Sequence, residues 1–368
     1  MTRFARERRV FFFEEPIFDA SISELRTSRD QGVFVCVPHL PSGLAPCAVI
    51  DELRRLLYEM QIKFKIDHPV MWYYTPMALD FARDITASAI VFDCMDELSA
   101  FRGAPPELLK HEAELLNRAD LVFTGGQSLY EAKRERHRHV YAFPSSVDVP
   151  HFLSARQTKT DPEDQAGIPH PRLGFFGVVD ERMDLELIGA VAAARPEWHL
   201  VILGPCVKID PATLPHRDNI HYLGMKKYEE LPAYLSGWDV ALLPFAKNES
   251  TKFISPTKTP EYLAAGRPVV STSVRDVVRP YGEQELVQIA DRPDDFVRAI
   301  ERALAGPPSE WRERVDRFLA NMSWDRTWSE MSSLIEGVSN TSVPRDAVTA
   351  VPLAGAVDVT RSRPASSI

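Results

Sequence analysis

The most constraining feature of this sequence is an alternation of short apolar runs and amphipathic helical segments, which begins once near residue 10 and again near residue 173. The apolar runs of the first half are Val10–Phe13, Val33–Val37, Val70–Tyr74, Ala89–Phe92, Leu121–Thr124 and Val140–Phe143. Ala48–Phe64 is typical of the segments between them, because its apolar residues fall on one helix face. This alternation predicts parallel sheets covered by helices on both sides. We therefore expect an α/β fold with two Rossmann-like domains in tandem.

Residues 154–171 are polar, rich in proline and without apolar periodicity, which predicts a linker between the two halves. The predicted domains are residues 1–153 and 172–322, followed by a closing helix over residues 323–338. Residues 339–368 are small and polar and contain proline, and this composition predicts disorder. Domains of this kind bind ligands at the carboxyl ends of their strands, so we expect the two domains to face one another across a ligand cleft.

Composition excludes several classes of function. The 368 residues carry a net charge of −9, which argues against nucleic acid as the main partner. The four cysteines lack CxxC spacing and predict thiols of a reducing cytosol rather than a disulfide frame or a zinc site. The sequence has neither an apolar run of membrane-spanning length nor a signal-peptide pattern. We therefore expect a cytoplasmic protein.

The segment 254–271, ISPTKTPEYLAAGRPVVS, predicts a loop, a short helix and a buried strand. Thr257, Lys258 and Glu261 then lie on the first turns of the helix. Its positive N-terminal end attracts phosphate, Lys258 adds a full charge, and Glu261 offers an acceptor pair for a ribose diol. These groups suit a nucleotide diphosphate. A solvated ion pair between Lys258 and Glu261 is the alternative interpretation.

The loop after the strand Leu173–Phe176 is a second candidate for phosphate binding. Gly177 lets the backbone approach a ligand closely, and Arg182 can bind a phosphate with two parallel hydrogen bonds. A surface loop, in which Arg182 pairs with one of the neighbouring acidic residues, remains the alternative.

The first half has candidate functional residues at several strand ends. His39 lies at a strand end in a Pro/Gly-containing loop, where an imidazole is suited to orient a ligand or act as a base. Tyr74 and Thr75 lie at another strand end. The alternative interpretation of His39 is a histidine that packs against the loop.

Acidic residues follow the strand Ala89–Phe92. We predict Asp96 as a general base, because it lies beyond the strand end, whereas Asp93 is expected to cap or brace the loop. The alternative for Asp96 is a loop hydrogen bond. The spacing of Asp93, Asp96 and Glu97 does not match a metal motif, and no metal is expected, because Lys258 and Arg182 can balance a leaving diphosphate.

Four stretches together resemble the bacterial group 1 glycosyltransferases, which have the two-Rossmann GT-B fold and use nucleotide sugars. The stretches are FPSSVDVPHF at 143–152, LGFFGVVDER at 173–182, the segment 254–271, and the dipeptide Ser323-Trp324. The resemblance covers roughly residues 1–338. It implies a hexosyltransferase-like enzyme that uses a UDP- or GDP-linked sugar and a glycan or lipid-linked acceptor, without a further cofactor, in cell-surface polysaccharide synthesis. The resemblance also implies that the second half binds the donor and that the first half holds the acceptor and any base. Asp96 is then the expected base of an inverting transfer and His39 the second candidate, and Tyr74 and Thr75 are expected to contact the acceptor.

The sequence also departs from the family's pattern. Retaining members carry two glutamates eight positions apart; Glu261 matches the second, which grips the ribose, but Phe253 occupies the place of the first. The stereochemical outcome therefore stays open. The usual first strand of the amino-terminal domain is not recognisable, because residues 1–9 already resemble the helix that follows it.

Two other functions remain open from the sequence. One is a nucleotide-sugar epimerase of the same fold, which turns over the donor alone, and the other is a non-catalytic sugar- or nucleotide-binding protein, for which Phe253 is an argument. The basic residues Arg3, Arg6, Arg8 and Arg9 around Phe4 suggest a peripheral contact with the inner face of the plasma membrane. A solvated helix face is the alternative interpretation.

Overall fold

A computed structural model describes residues 1–101, 103–158, 160–339 and 350–353. The strands are β1 (Phe11–Phe13), β2 (Glu24–Asp30), β3 (Val33–His39), β4 (Val70–Tyr73), β5 (Ala89–Cys94), β6 (Leu121–Thr124), β7 (Val140–Ala142), β8 (Arg172–Phe176), β9 (His199–Leu203), β10 (Ile220–Gly224), β11 (Val240–Leu243), β12 (Val269–Ser271), β13 (Gln288–Ile289) and β14 (Ala350–Leu353). The helices are α1 (Pro46–Phe64), α2 (Leu79–Ala82), α3 (Leu108–Arg118), α4 (Gln127–Lys133), α5 (Val149–Leu153), α6 (Glu163–Ala166), α7 (Leu185–Ala194), α8 (Leu231–Ser236), α9 (Lys258–Ala264), α10 (Arg275–Val277), α11 (Pro293–Leu304), α12 (Trp311–Leu319) and α13 (Trp324–Ser339).

Residues 1–143, together with the chain from Asp325 onward, form the first of two compact units. Its sheet has the order β2-β3-β1-β14-β4-β5-β6-β7, and every neighbouring pair is parallel except β2 with β3. One face of the sheet carries Trp72 and Phe123, which pack with Phe4 and Ile335. The structure thus confirms the predicted parallel sheet and adds the polar edge strand β2. The sequence hid β2 because its side chains are nearly all exposed and show no apolar alternation.

Residues 144–324 form the second unit. Its sheet has the order β10-β9-β8-β11-β12-β13 with all neighbours parallel, which is the strand order of a Rossmann fold. Apolar cores lie on both faces, one including Trp238 and Tyr262 and the other including Phe296. Burial on both faces explains why these strands appear in the sequence as continuous apolar runs.

Residues 154–171, which the sequence predicts to be a linker, belong to the second unit instead. Gln165 is fully buried; it accepts a hydrogen bond from Trp238 Nε1 at 2.9 Å and donates one to the carbonyl of Tyr234 at 3.0 Å. The buried Arg172 guanidinium donates to Asp161 at 2.6 Å. The polar residues that suggested a linker are therefore hydrogen-bonded parts of the packed unit.

The boundary between the units also lies earlier than predicted, after residue 143 rather than after residue 153. Helix α5 accounts for the difference, because its Phe152 is fully buried and stacks near Phe176 with ring centroids 6.3 Å apart. The closing helix is present as α13, and it packs on the sheet of the first unit through Ile335.

The predicted disorder of residues 339–368 is wrong where the structure describes them. Ser339 closes α13, and β14 pairs in parallel with both β1 and β4 in the middle of the first sheet. A short apolar run among small polar residues is too weak a pattern to reveal a strand whose partners lie more than 270 positions away. The other residues of this predicted tail lie outside the described residues.

Candidate functional site

In the second unit, the structure brings Gly177 and Lys258 together at the carboxyl end of β8. Gly177 has φ +139°, and a Cβ there would lie 2.2 Å from Lys258 Cε and 2.8 Å from its Nζ. Any side chain at 177 would therefore displace the lysine. Lys258 Nζ lies 5.8 Å from the centroid of the Phe175 ring, which keeps the ammonium group close to the strand end.

Helix α9 carries the predicted donor residues, and Tyr262 fixes it to the strand. Tyr262 is fully buried, and its hydroxyl accepts a hydrogen bond from the Phe176 backbone N–H at 3.0 Å. The helix has only seven residues, and Thr257 at its N-cap makes no capping hydrogen bond through its side chain. A binding role for this end therefore rests on the Lys258 and Glu261 side chains rather than on a helix dipole.

Glu261 is the most unusual group on α9. Its Oε2 atom is buried and has no hydrogen-bond partner among the residues that the structure describes. Burial raises the pKa of Glu261 to about 7, while the charge of Lys258 acts in the opposite direction. A buried carboxylate oxygen without a partner is costly, and two hydroxyl donors from a ligand would relieve that cost.

Arg182 is paired in the way that the sequence left open as an alternative. Its Nε lies 3.0 Å from Asp180 Oδ1 and its Nη2 lies 2.6 Å from Oδ2, and the Asp180 side chain is buried. This two-point pair fixes the loop after β8. A phosphate contact by Arg182 stays a prediction, because such a contact would compete with Asp180.

In the first unit, Asp93 is more deeply placed than the sequence suggested. It lies within β5 and is buried, and its Oδ2 accepts a hydrogen bond from Trp72 Nε1 at 3.1 Å. Its Oδ1 is buried and has no partner among the described residues, and burial raises the pKa of Asp93 to about 7. The predicted base, Asp96, lies on the loop that follows, where its backbone carbonyl accepts from the Leu98 N–H at 3.1 Å. The structure does not test which carboxylate acts as a base.

The loop that carries Asp96 is held by a buried charge network that the sequence did not reveal. Lys133 Nζ donates to Glu97 at 2.6 Å and to Glu112 at 2.9 Å, and all three side chains are largely buried. Arg136 also pairs with Glu112. Because these residues are far apart in sequence, only the fold could bring them together.

Of the predicted acceptor residues, Tyr74 lies beside Asp93 and Thr75 has a local structural role. Burial and the nearby Asp93 raise the pKa of the Tyr74 hydroxyl. Thr75 is buried, and its Oγ1 accepts a hydrogen bond from the Met77 N–H at 3.3 Å, which caps a short turn. An acceptor contact by either residue stays a prediction.

His39 is buried at the carboxyl end of β3 and has a partner that the sequence did not indicate. Its Nδ1 lies 2.5 Å from Asp19 Oδ1. Asp19 precedes His39 by twenty positions in a segment without any recognisable motif, so no sequence pattern pointed to it.

In the basic N-terminal segment the structure buries the aromatic residue and pairs three of the arginines, and a contact with the membrane stays a prediction. Phe4 is buried in the core of the first unit, and residues 4–6 form a single turn of 3-10 helix. Arg3 and Arg6 pair with Asp325, and Arg8 lies 3.3 Å from Glu336. These ion pairs link the segment to α13.

In the described part of the chain, no helix is both long enough and apolar enough to cross a bilayer. No group of three or more metal-ligating side chains occurs in the same ranges.

Comparisons with known proteins agree with this picture. Residues 170–306 match the family model described as "Glycosyl transferases group 1". A Bacillus subtilis (strain 168) protein named "Putative teichuronic acid biosynthesis glycosyltransferase TuaH" is 25% identical over 272 residues, which are 68% of this chain and 67% of that protein.

Two solved structures show the fold. Sucrose-phosphate synthase from Thermosynechococcus elongatus aligns with a TM-score of 0.68 at 16% identity, over 93% of this chain and 92% of that one. The E. coli structure titled "Trehalose-6-phosphate from E. coli bound with UDP-2-fluoro glucose" aligns with a TM-score of 0.66 at 13% identity, over 91% and 93%. The predicted fold of two Rossmann-like domains, the GT-B fold, is confirmed.

Proposed function

Because this chain is a glycosyltransferase of the group 1 type, we propose that it moves a hexose from a UDP- or GDP-linked donor to a glycan or lipid-linked acceptor in cell-surface polysaccharide synthesis. The related Bacillus protein is named for the synthesis of such a polymer, and one structural relative was solved with a UDP-sugar analogue. The enzyme works in the cytoplasm, where nucleotide sugars are made, and needs no further cofactor.

The observation that carries this proposal is the buried Oε2 of Glu261, which has no hydrogen-bond partner among the described residues and lies near Lys258, the lysine that packs over Gly177. In this proposal Lys258 neutralises the diphosphate, and Glu261 accepts hydrogen bonds from the ribose hydroxyls. Gly177 leaves room for the lysine and for a phosphate near the backbone. Thr257 and Arg182 are secondary candidates for phosphate contact. All five residues lie within the segment that matches the family model.

The first unit supplies the acceptor side in this proposal. Asp96 and His39 are its candidate catalytic residues, and Tyr74 and Thr75 its candidate acceptor contacts. Phe253, which stands where retaining members have a glutamate, lies next to Lys252, whose Nζ is 5.3 Å from the Phe253 ring centroid. In this proposal the donor sugar therefore needs another acidic or polar partner.

The test combines ligand binding with turnover. A thermal-shift screen with UDP, GDP, ADP and dTDP should single out one nucleotide, since a ligand at a hundred times its Kd adds about 2.7 kcal/mol of apparent stability. Lys258→Ala should weaken binding of the diphosphate far more than of the nucleoside, and Glu261→Gln should weaken both. Lys247→Ala, which removes an exposed lysine paired with Asp291, is the matched control and should change neither.

Equal losses of diphosphate and nucleoside binding in Lys258→Ala would show that this lysine is structural. Turnover of a donor without any acceptor would identify an epimerase, and binding without turnover would identify a non-catalytic protein. Activity that survives EDTA would support the expected independence from metal ions.

A further inference from the structure

We infer that Arg156 is a positioning residue for donor binding, which holds the short helix α9 so that Lys258 and Glu261 meet the nucleotide. The inference rests on the proposed function. Arg156 closes a 3-10 turn after α5, and its side chain reaches the carboxyl end of α9, whereas Lys258 is the first residue of that helix. Arg156 therefore acts through the helix and not on the ligand. All of these residues belong to the second unit.

The last carbonyl groups of α9 receive hydrogen bonds from Arg156. In any α-helix the carbonyls of the final turn have no N–H group within the helix to accept from. Arg156 Nε donates to the Ala264 carbonyl at 2.8 Å, and Nη2 donates to the Leu263 carbonyl at 3.3 Å. The guanidinium group thus caps the end of the donor helix from a different part of the chain.

A carboxylate on α12 fixes the same guanidinium group. Asp316 Oδ1 lies 2.7 Å from Arg156 Nη2, and Oδ2 lies 3.1 Å from Nη1. All three nitrogens of the guanidinium group are therefore engaged, and the Arg156 side chain is only 15% exposed. A two-point pair of this kind sets the plane of the guanidinium group as well as its position. A lysine, with a single charged nitrogen, could not join α9 to α12 in this way.

The glycine after α9 leaves the space that Arg156 occupies. Gly266 has φ +74°, and a Cβ there would lie 3.1 Å from Arg156 Nε and 3.3 Å from its Cγ. The left-handed turn alone already favours glycine at this position. The structure adds a second reason, because a side chain at 266 would press on the arginine that holds the helix.

The hold at this end of α9 matters at the other end because the helix is short. Its seven residues span about 10 Å, so a tilt at the carboxyl end moves the whole helix. The Tyr262 hydroxyl ties the helix to the Phe176 N–H, and this contact alone would act as a pivot. The buried Oε2 of Glu261 has no partner among the described residues that would keep it in place. Arg156 therefore fixes the tilt of α9, and with it the positions of Lys258 and Glu261.

The experiment measures nucleotide affinity in the full chain. UDP, GDP, ADP and dTDP are each titrated into wild type, Arg156→Ala, Arg156→Lys and Arg314→Ala. We expect Arg156→Ala to raise the Kd of the diphosphate that binds about ten- to a hundredfold, the scale of loss when a mutation misplaces a group by about 1 Å. Arg156→Lys should recover part of the affinity. Arg314→Ala removes another arginine of the unit, which pairs with Glu285, and should bind as wild type does.

Two further readouts separate positioning from general support of the fold. Gln165→Leu removes hydrogen bonds of the same unit that lie outside α9, so it should lower the stability of the unit and leave the Kd unchanged. The losses of affinity in Arg156→Ala and Lys258→Ala should be less than additive when the two are combined, because a misplaced helix no longer presents the lysine to the diphosphate.

Three results would overturn the inference. They are a wild-type Kd in Arg156→Ala, an equal rise of the Kd in Gln165→Leu, and fully additive losses in the double variant. If Arg156→Ala does not fold, Asp316→Asn takes its place, since it weakens the pair and keeps the two carbonyl contacts; an unchanged Kd there would overturn the inference as well. If the wild-type protein binds none of the four nucleotides, the proposed function fails first, and the role of Arg156 falls with it.

Discussion

Asp93 and Glu261 are both carboxylates with one buried oxygen that lacks a partner among the described residues, and they lie in different units. Burial raises the pKa of each to about 7. Ionisation of such a buried carboxyl lowers the unfolding free energy of the protein, and carboxyl groups with raised pKa values are common in active sites. Asp93 deserves a direct test, because the sequence favoured Asp96 in its place.

The stability of the first unit should therefore depend on Asp93 and on pH. Between about pH 4 and pH 7 the native state keeps the Asp93 proton that the unfolded chain has lost, so the unfolding free energy falls as pH rises, by at most about 1.4 kcal/mol per pH unit. Asp93→Asn should remove this contribution. Urea unfolding at pH 5 and pH 8 should show a smaller loss on raising the pH in the variant than in wild type.

Asp120→Asn is the control. Asp120 also accepts a hydrogen bond at β5, from the Ile90 N–H at 2.8 Å, but it has no buried carboxylate oxygen without a partner among the described residues. An Asp93→Asn variant with the pH dependence of wild type would mean that Asp93 is ionised in the folded protein.

Among the residues of the candidate site, the sequence could predict those whose partners are close along the chain or on adjacent strand ends. Lys258, Glu261 and Gly177 were predicted, and the structure brings Gly177 and Lys258 into contact. It could not predict Asp19, because a lone aspartate in a loop becomes informative only when the fold places it on His39.

At the scale of elements, the short helix α6 and the chain around it show how polar residues can hold a segment in place. The Gln165 amide joins Trp238 and the Tyr234 carbonyl, and it is fully buried. Gln165→Leu would leave the buried Trp238 indole N–H without its partner, while the Tyr234 carbonyl would keep the hydrogen bond from the Gly237 N–H. It should therefore lower the unfolding free energy of the second unit by about 1–3 kcal/mol. Gln157→Leu, at an exposed position four residues after the end of α5, should change it little. Denaturant unfolding followed by Trp fluorescence measures both variants.

An unchanged midpoint for Gln165→Leu would indicate that residues 161–171 behave as the linker that their composition predicts.

The elements that the sequence did predict share a clear pattern: buried parallel strands are continuous apolar runs, and α1 and α11 have one apolar face. The sequence did not predict β2, because almost none of its side chains are buried. It did not predict β14, because a run of four residues is too short to show periodicity.

At the scale of the molecule, the two units are built differently along the chain. The second unit is continuous from Pro144 to Trp324, whereas the first takes α13 and β14 from beyond it. β14 lies between β1 and β4 and pairs with both, so its removal would expose two strand edges in the middle of a sheet.

Truncation after residue 339 should therefore destabilise the first unit by several kcal/mol, since each lost backbone hydrogen bond is worth about 0.5–1.5 kcal/mol. Truncation after residue 353 keeps β14 and is the control. Hydrogen exchange should show lost protection of β4 in the shorter protein, with β11 of the second unit unchanged. Equal protection of β4 in both proteins would mean that β14 contributes nothing to the sheet.

The position of β14 also sets an order of events during synthesis. A ribosome that adds about 5–20 residues per second needs about 10–40 s to pass from residue 143 to residue 353. Throughout this interval β1 and β4 of the nascent chain lack β14, the strand that pairs with both of them. The second unit is complete once residue 324 has been added, and it can fold before β14 is made. The half that is translated first is thus completed last.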